Sequence, residues 1–189
     1  MKNKAKSFAS QAHSGQVRKH GNVPYITHPI RVAALLESAG CRDELVCAGY
    51  LHDVVEDTTC ELEDIENAFG SVVSALVAAH TEDKSKSWQE RKQHTIDLVR
   101  TANEEVKQLI VADKLDNLLD IEKQYNEIGE KVWHLFNAPK EKQQWYYEAI
   151  AANMYMGYSN QKAPAFFHEY EKAIQRVFHP KNDWQANTC

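Results

Sequence analysis

Apolar residues recur along this chain at intervals of three and four, and no segment sustains the strict alternation of a half-buried strand. The pattern predicts a first helix over residues 2–14 with Phe8 and Ala12 on one face, then a loop from Gly15 to Pro24. Pro29 is expected at the first position of a second helix, where its missing N–H costs nothing, and Gly40 closes that helix after Ile30, Ala33, Ala34 and Leu35. A third helix is predicted over about 43–56. Thr58 and Glu61 read as a capping box for a short helix ending at Phe69-Gly70, and Ser71 opens another that runs to about His80. Ser87 and Glu90 form a second capping box, leading a helix to about Ala102. Further helices are predicted over about 104–124, 126–136, 140–158 and 164–178. The expected class is all-α: about nine or ten helices in one domain over residues 1–180, with 181–189 as a C-terminal tail.

Two places break the apolar pattern with chemistry. Within Tyr50–Thr58, His52, Asp53, Glu56 and Asp57 lie at helical spacings of three and four, beside Leu51, Val54 and Val55, which read as core. Unpaired carboxylates at the edge of a core cost several kcal/mol, and a cation among them cancels that cost. The second place is the stripe Val106, Ile110, Asp113, Asn117, Ile121, one helical face with two polar members. These are either a hydrogen-bonded pair tying helices together or, for Asp113, a metal ligand. His28, held before Pro29 by a stiff backbone, is either a capping histidine or another ligand. His28, His52, Asp53 and Asp113 together make an N/O donor set without thiolate, suited to Mn²⁺, Fe²⁺ or Zn²⁺ and unlike a closed structural zinc site. An ion held this way acidifies water and polarises a phosphoryl group, with Glu56 and Asp57 near enough to orient or deprotonate that water.

Composition narrows the picture. The chain has 189 residues, 43% hydrophobic, enough to bury a full core, and only 7 Gly and 5 Pro, few for a turn-rich all-β fold. Its four cysteines form no CxxC pair, so reduced thiols in a cytoplasm are expected rather than a disulfide framework. No apolar run approaches a membrane span and Met1–Lys6 leads into no signal-peptide core, so a membrane partner is not expected. The net charge of −5 is uneven: residues 1–36 contain Lys2, Lys4, Lys6, Arg18, Lys19 and Arg31 and no acid. An acidic body with one cationic region suits a small polyanion better than nucleic acid. Lys2, Lys4 and Lys6 read as solvated; Arg18 and Lys19 fit that reading less well.

These residues resemble the hydrolase domain of RelA/SpoT-type alarmone enzymes, an HD-domain fold, and most of all the stand-alone small alarmone hydrolases that include the metazoan SpoT homologues. The resemblance covers Arg18-Lys19 with Pro24–Pro29, Leu51–Thr58, Phe69-Gly70, Glu90–Lys92 and Ala112–Asn117. It implies a helical bundle around one Mn²⁺, held by His28, His52, Asp53 and Asp113, that removes pyrophosphate from the 3′ position of (p)ppGpp. It also implies that Arg18 and Lys19 meet the phosphates, that Tyr25 lies near the base and Asn117 near ribose or phosphate, and that Tyr146 contacts substrate. The chain departs from the family at His20 and at Ile110, Lys114 and Asp116, where Lys, Arg and His are common. These departures leave the four metal ligands in place, and the resemblance leaves base preference and the grip on the terminal phosphates open. With no length for synthetase or regulatory regions, hydrolysis alone is expected.

Two other readings stay open: an adenosine alarmone or another 3′- or 2′-phosphorylated nucleotide as substrate, and a silent nucleotide-binding sensor. Retention of both Glu56 and Asp57 speaks against the second. His13 is close to the substrate loop and a candidate contact, while His80, His94, His134, His168 and His179 read as solvated or helix-end residues. Trp145-Tyr146-Tyr147, with Tyr155 and Tyr158, suits helix packing or a subunit contact, which leaves a homo-oligomer open. Residues 164–178, with Phe166, Phe167, Tyr170 and Ile174, read as a docking helix.

Overall fold

The computed structural model describes residues 1–18, 22–158 and 163–180; Lys19, His20 and the tail at 181–189 lie outside them. Ten α-helices and one 3-10 segment make up the described chain. They are α1 (Lys2–Ala12), α2 (Thr27–Ser38), α3 (Asp43–Leu51), α4 (Val54–Asp57), α5 (Leu62–Phe69), α6 (Ser71–His80), α7 (Trp88–Thr101), α8 (Glu104–Ile128), α9 (Lys140–Met154) and α10 (Ala165–Phe178). The all-α expectation holds.

Helix α8 is the axis of the bundle. Helices α2, α3, α6, α7, α9 and α10 all pack against it, so its middle turns are buried on several faces, polar members included. Leu109, Ile110, Val111, Leu115 and Leu118 are buried, as is the predicted Val106–Ile121 stripe apart from half-buried Asn117. The 164–178 segment docks within the chain: α10 lays Phe167, Tyr170, Ile174 and Val177 against α8 and α9. Tyr146 and Tyr147 are likewise buried inside the chain, so they are not a subunit surface.

Several boundaries differ from the expectation. The helix predicted at 43–56 is two, α3 and α4, joined through His52 and Asp53, whose ψ of −6° flattens the turn. Successive side chains on an unbroken helix point about 100° apart; the flattened turn is where His52 and Asp53 converge. Thr58 is not the N-cap of α5. Its hydroxyl donates to the Val54 carbonyl at 2.7 Å and accepts from the Cys60 amide at 3.1 Å, closing α4, while Asp64 accepts from the Glu61 amide at 2.9 Å. The Ser87–Glu90 box forms as read, with bonds of 2.8 and 3.3 Å. Residues 126–136 are not a separate α-helix: α8 runs on to Ile128, and Gly129, at φ 63°, turns the chain into a 3-10 segment, Gly129–Leu135. Pro29 sits at the third residue of α2 rather than the first; its missing N–H would have found no helical partner there either.

One close approach sets up the site. Gly49 of α3 lies so near α2 that a Cβ on it would stand 2.8 Å from Leu36 Cδ1 and 3.1 Å from Ala33 Cα. With no side chain between them, α2 and α3 bring their functional ends together: His28 from the first turn of α2, and His52 immediately after α3.

Candidate metal centre and active site

His28, His52 and Asp113 come from three separate helical regions, and all are buried. The Nε2 atoms of His28 and His52 face each other at 3.2 Å. Asp53 Oδ2 stands 3.0 Å from His52 Nε2 and 3.5 Å from His28 Nε2, and Asp113 Oδ1 stands 3.2 Å and 3.8 Å from His28 and His52 Nε2. All four residues read from the sequence therefore meet at one point.

The donor chemistry of that point fits a divalent cation. The Nδ1–H of His52 donates to the Gly49 carbonyl at 2.8 Å, and His28 Nδ1 is occupied by Asp116 Oδ2 at 2.6 Å. Each imidazole thus turns Nε2 inward, where two carboxylate oxygens also converge. Burial pushes the His52 imidazole down, but the Asp53 and Asp113 charges outweigh it and raise it to about 9. The negative field that causes this is what a bound cation would neutralise. His28, His52, Asp53 and Asp113 are the residues that would hold it.

Glu56 and Asp57 stand beside the centre but are held differently. Glu56 lines the cleft, its Oε2 accepts from the Glu82 amide at 3.2 Å, and burial raises its carboxyl above the usual range. Asp57 has both oxygens engaged, Oδ1 with Lys84 Nζ at 2.9 Å and Oδ2 with the Tyr25 hydroxyl at 3.1 Å. Tyr25 also approaches Asp53 Oδ2 at 2.7 Å, so its hydroxyl belongs to the carboxylates of the centre. Its ring packs at a tilt of 33° against His13, centroids 4.8 Å apart, and lies under the Arg18 guanidinium at 5.8 Å.

Arg18 reaches the cleft because its loop is pinned at the base: the Arg18 amide donates to Val23 at 2.9 Å and the Tyr25 amide to Gln16 at 2.9 Å. Its guanidinium spans Asn117 Oδ1 at 3.2 Å and Asp120 Oδ2 at 3.0 Å, and Asn117 in turn donates to Asp113 Oδ1 at 2.7 Å. Asn117 therefore connects the cationic loop to the centre. Tyr146, which the resemblance puts in contact with substrate, is set back from the cleft. It is 2% exposed beneath Lys92, packed on Trp88, and does not line the cleft; Tyr147 lines its outer part.

The structure adds residues to which the sequence reading gave no role. The inner end of the cleft, a cavity of about 170 Å³, is walled by Glu82, Lys92 and Lys114. Lys114 Nζ donates to Asp113 Oδ2 at 2.6 Å, and Glu82 pairs with Arg91 at 2.9 Å and Lys92 at 2.6 Å. His80, read as a helix-end residue, is part of the site: its Nε2 stands 2.9 Å from Asp113 Oδ2. His80 closes an apolar helix, and nothing in that local pattern distinguishes it from a solvated terminus. Arg31 follows His28 by three and Asp116 follows Asp113 by three, spacings legible in the chain, but the packing of α2 on α8 decides that the two pairs face each other.

A model of the HD domain family matches residues 5–139 of this chain. The chain belongs to the HD domain family. Among its curated relatives is a guanosine-3′,5′-bis(diphosphate) 3′-pyrophosphohydrolase of Drosophila melanogaster, 42% identical over 118 residues, which are 61% of this chain and 66% of that protein. A human protein of the same name is 41% identical over 120 residues, 62% of this chain and 67% of its own length. In structure the chain resembles a Listeria monocytogenes protein with a TM-score of 0.78 at 47% identity, over 80% of this chain and 99% of that one. It also resembles a metazoan SpoT ortholog described as hydrolysing ppGpp, with a TM-score of 0.72 at 30% identity over 93% of each chain. As an HD domain, its His52-Asp53 pair falls where α3 gives way to α4. No helix among the described residues is long and apolar enough to cross a membrane.

Proposed function

We propose that this HD domain is a metal-dependent 3′-pyrophosphohydrolase of the guanosine alarmones (p)ppGpp, releasing pyrophosphate and GDP or GTP. The observation that carries the reading is the meeting of His28, His52, Asp53 and Asp113 at one point, with Glu56 beside it and Arg18 at the same cleft. The names of the Drosophila and human relatives support the same substrate. We assign Mn²⁺ to the site, as an N/O set without thiolate favours it over a structural zinc, and we place the activity in the cytoplasm, consistent with the free thiols of Cys41, Cys47 and Cys60.

When bound, the ion supplies positive charge that polarises the scissile phosphoryl group and acidifies water. The chain's own residues do the rest. Arg18 binds and orients the phosphates. Glu56 takes the proton of the attacking water, whose oxygen bonds to the phosphorus attached at the ribose 3′ oxygen; that ester bond breaks and the ribose oxygen leaves with a proton. Glu56 suits this better than Asp57, since its carboxyl is raised by burial and Asp57 is tied by both oxygens to Tyr25 and Lys84.

The test is a panel of guanosine and adenosine nucleotides carrying 3′-diphosphate or 3′-monophosphate, incubated with the protein and Mn²⁺. Pyrophosphate should appear from the guanosine 3′-diphosphates. Faster release from the adenosine series would move the substrate assignment, and no release from any diphosphate would overturn it. In the same assay Arg18→Ala should mainly raise KM, lowering kcat/KM by about 10- to 150-fold for the loss of one charge-assisted contact of roughly 1.5–3 kcal/mol. The defect should deepen with salt and be smaller for a 3′-monophosphate. Wild-type kcat/KM in that variant would remove Arg18 from the phosphate site.

A further inference from the structure

The two imidazoles of the centre are held from behind by unequal partners. His52 Nδ1–H meets the neutral Gly49 carbonyl at 2.8 Å. His28 Nδ1 meets a carboxylate oxygen, Asp116 Oδ2, at 2.6 Å. That carboxylate is itself clamped: Arg31 donates from Nε to Oδ1 at 2.6 Å and from Nη2 to Oδ2 at 2.9 Å. Asp116 is 3% exposed, so its two oxygens depend on these donors, whereas the Arg31 side chain is 45% exposed and reaches in from the surface. The arrangement crosses one helix interface, since His28 and Arg31 stand one turn apart on α2 and Asp116 faces them from α8.

We propose that Asp116, fixed by Arg31, is the positioning residue that keeps His28 protonated on Nδ1, aims its Nε2 at the metal centre, and sets the affinity of the site for its divalent ion. This rests on the metal-centre reading above. A carboxylate accepts hydrogen bonds and cannot donate one, so the proton between His28 and Asp116 lies on Nδ1, and Nε2 is the nitrogen whose lone pair the neutral ring can give to an ion. A negative outer partner also makes the imidazole a stronger donor than a carbonyl does, and it restrains the ring about its own axis. The inference concerns the ion alone and assigns Asp116 no contact with substrate.

The experiment is a Mn²⁺ binding isotherm on the full chain, stripped with chelator and refilled, for wild type, Asp116→Asn and Arg31→Ala. It is paired with proton NMR of the His28 Nδ1–H in the stripped, metal-free chain, where no paramagnetic Mn²⁺ broadens it, assigned by its disappearance in His28→Ala. Asp116→Asn keeps the size and an acceptor but loses the charge; it should weaken Mn²⁺ binding by about 10- to 100-fold, as loss of an outer-shell partner does. Its His28 Nδ1–H resonance should move upfield as the bond weakens. Arg31→Ala, which alters only a half-exposed side chain, should shift both readouts the same way by less. A role confined to packing would lower thermal stability and leave the resonance in place in Arg31→Ala. Wild-type Mn²⁺ affinity in both variants would overturn the role of Asp116 while leaving the metal centre standing. Failure of the wild-type chain to bind Mn²⁺ would sink the metal reading and this inference with it.

Discussion

Asp113→Asn protein should retain little or no divalent metal after dialysis and should turn over alarmone at least about 10³-fold more slowly than wild type. The loss follows from two jobs that one carboxylate does. Asp113 Oδ1 faces the two imidazole Nε2 atoms, at 3.2 and 3.8 Å, and is an oxygen that would touch the ion. Asp113 Oδ2 is held by Lys114 at 2.6 Å and stands 2.9 Å from His80 Nε2, so the carboxylate cannot swing away from the centre. Removing its charge leaves a half-neutralised set facing the buried Lys114 ammonium, which would then repel a cation. A metal contribution of several kcal/mol, at about 1.4 kcal/mol per tenfold, sets the scale of the rate loss. Breaking the buried contact with Lys114 should also destabilise the fold by about 3–5 kcal/mol, so metal content is to be read at a temperature where circular dichroism still shows the helices. Tight metal retained by a folded Asp113→Asn protein would strike Asp113 from the ligand set.

Glu56→Gln should behave in the opposite way: metal content near wild type, kcat down by about 10²–10⁴-fold. The substitution keeps the shape and the acceptor for the Glu82 amide but removes the base. KM should change little, because Glu56 is assigned to the water rather than to the phosphates. Asp57→Asn is the informative companion. With both of its oxygens committed to Lys84 and Tyr25, its loss should loosen Tyr25 and cost less in kcat than Glu56→Gln. Stopped-flow kcat measurements with metal analysis on the same samples separate the cases. If Glu56→Gln turned over normally and Asp57→Asn did not, the two roles would have to be exchanged.

Several cationic groups cluster at one cleft without making it positive. Arg18 is paired with Asp120, Lys84 with Asp57, Lys92 with Glu82, and Lys114 with Asp113. A phosphate approaching Arg18 therefore competes with a carboxylate already in place, which bears on which nucleotides bind well enough to react. Glu82 matters here too. Burial would raise its carboxyl, but Lys114 and Lys92 outweigh that and hold it below the usual range.

Much of this was legible in the chain. The helical class follows from apolar spacing, which is local and survives any error in how the helices are arranged. His52, Asp53 and Glu56 stood out because charged groups sat among residues that had to be core, and Asp113 because it interrupted a buried stripe; in both cases the cost of burying an unpaired charge is the signal. The break between α3 and α4 was not legible, since no proline or glycine falls at it to interrupt the apolar spacing, and only the shared target of His52 and Asp53 explains the turn. Nor was His80, which looks locally like a frayed helix end and gains its role from Asp113 on another helix. Nor was the setting of Tyr146, named from the resemblance alone: it packs under Lys92, a contact between α7 and α9 that no local pattern specifies. Which groups had to find charged partners can thus be read from the chain, because burial makes that demand residue by residue. Which partners they found is a matter of packing, because Gly49 lets α2 and α3 close together and α8 carries Asp113 and Asp116 to their ends, contacts between residues too far apart in the chain for any local pattern to specify.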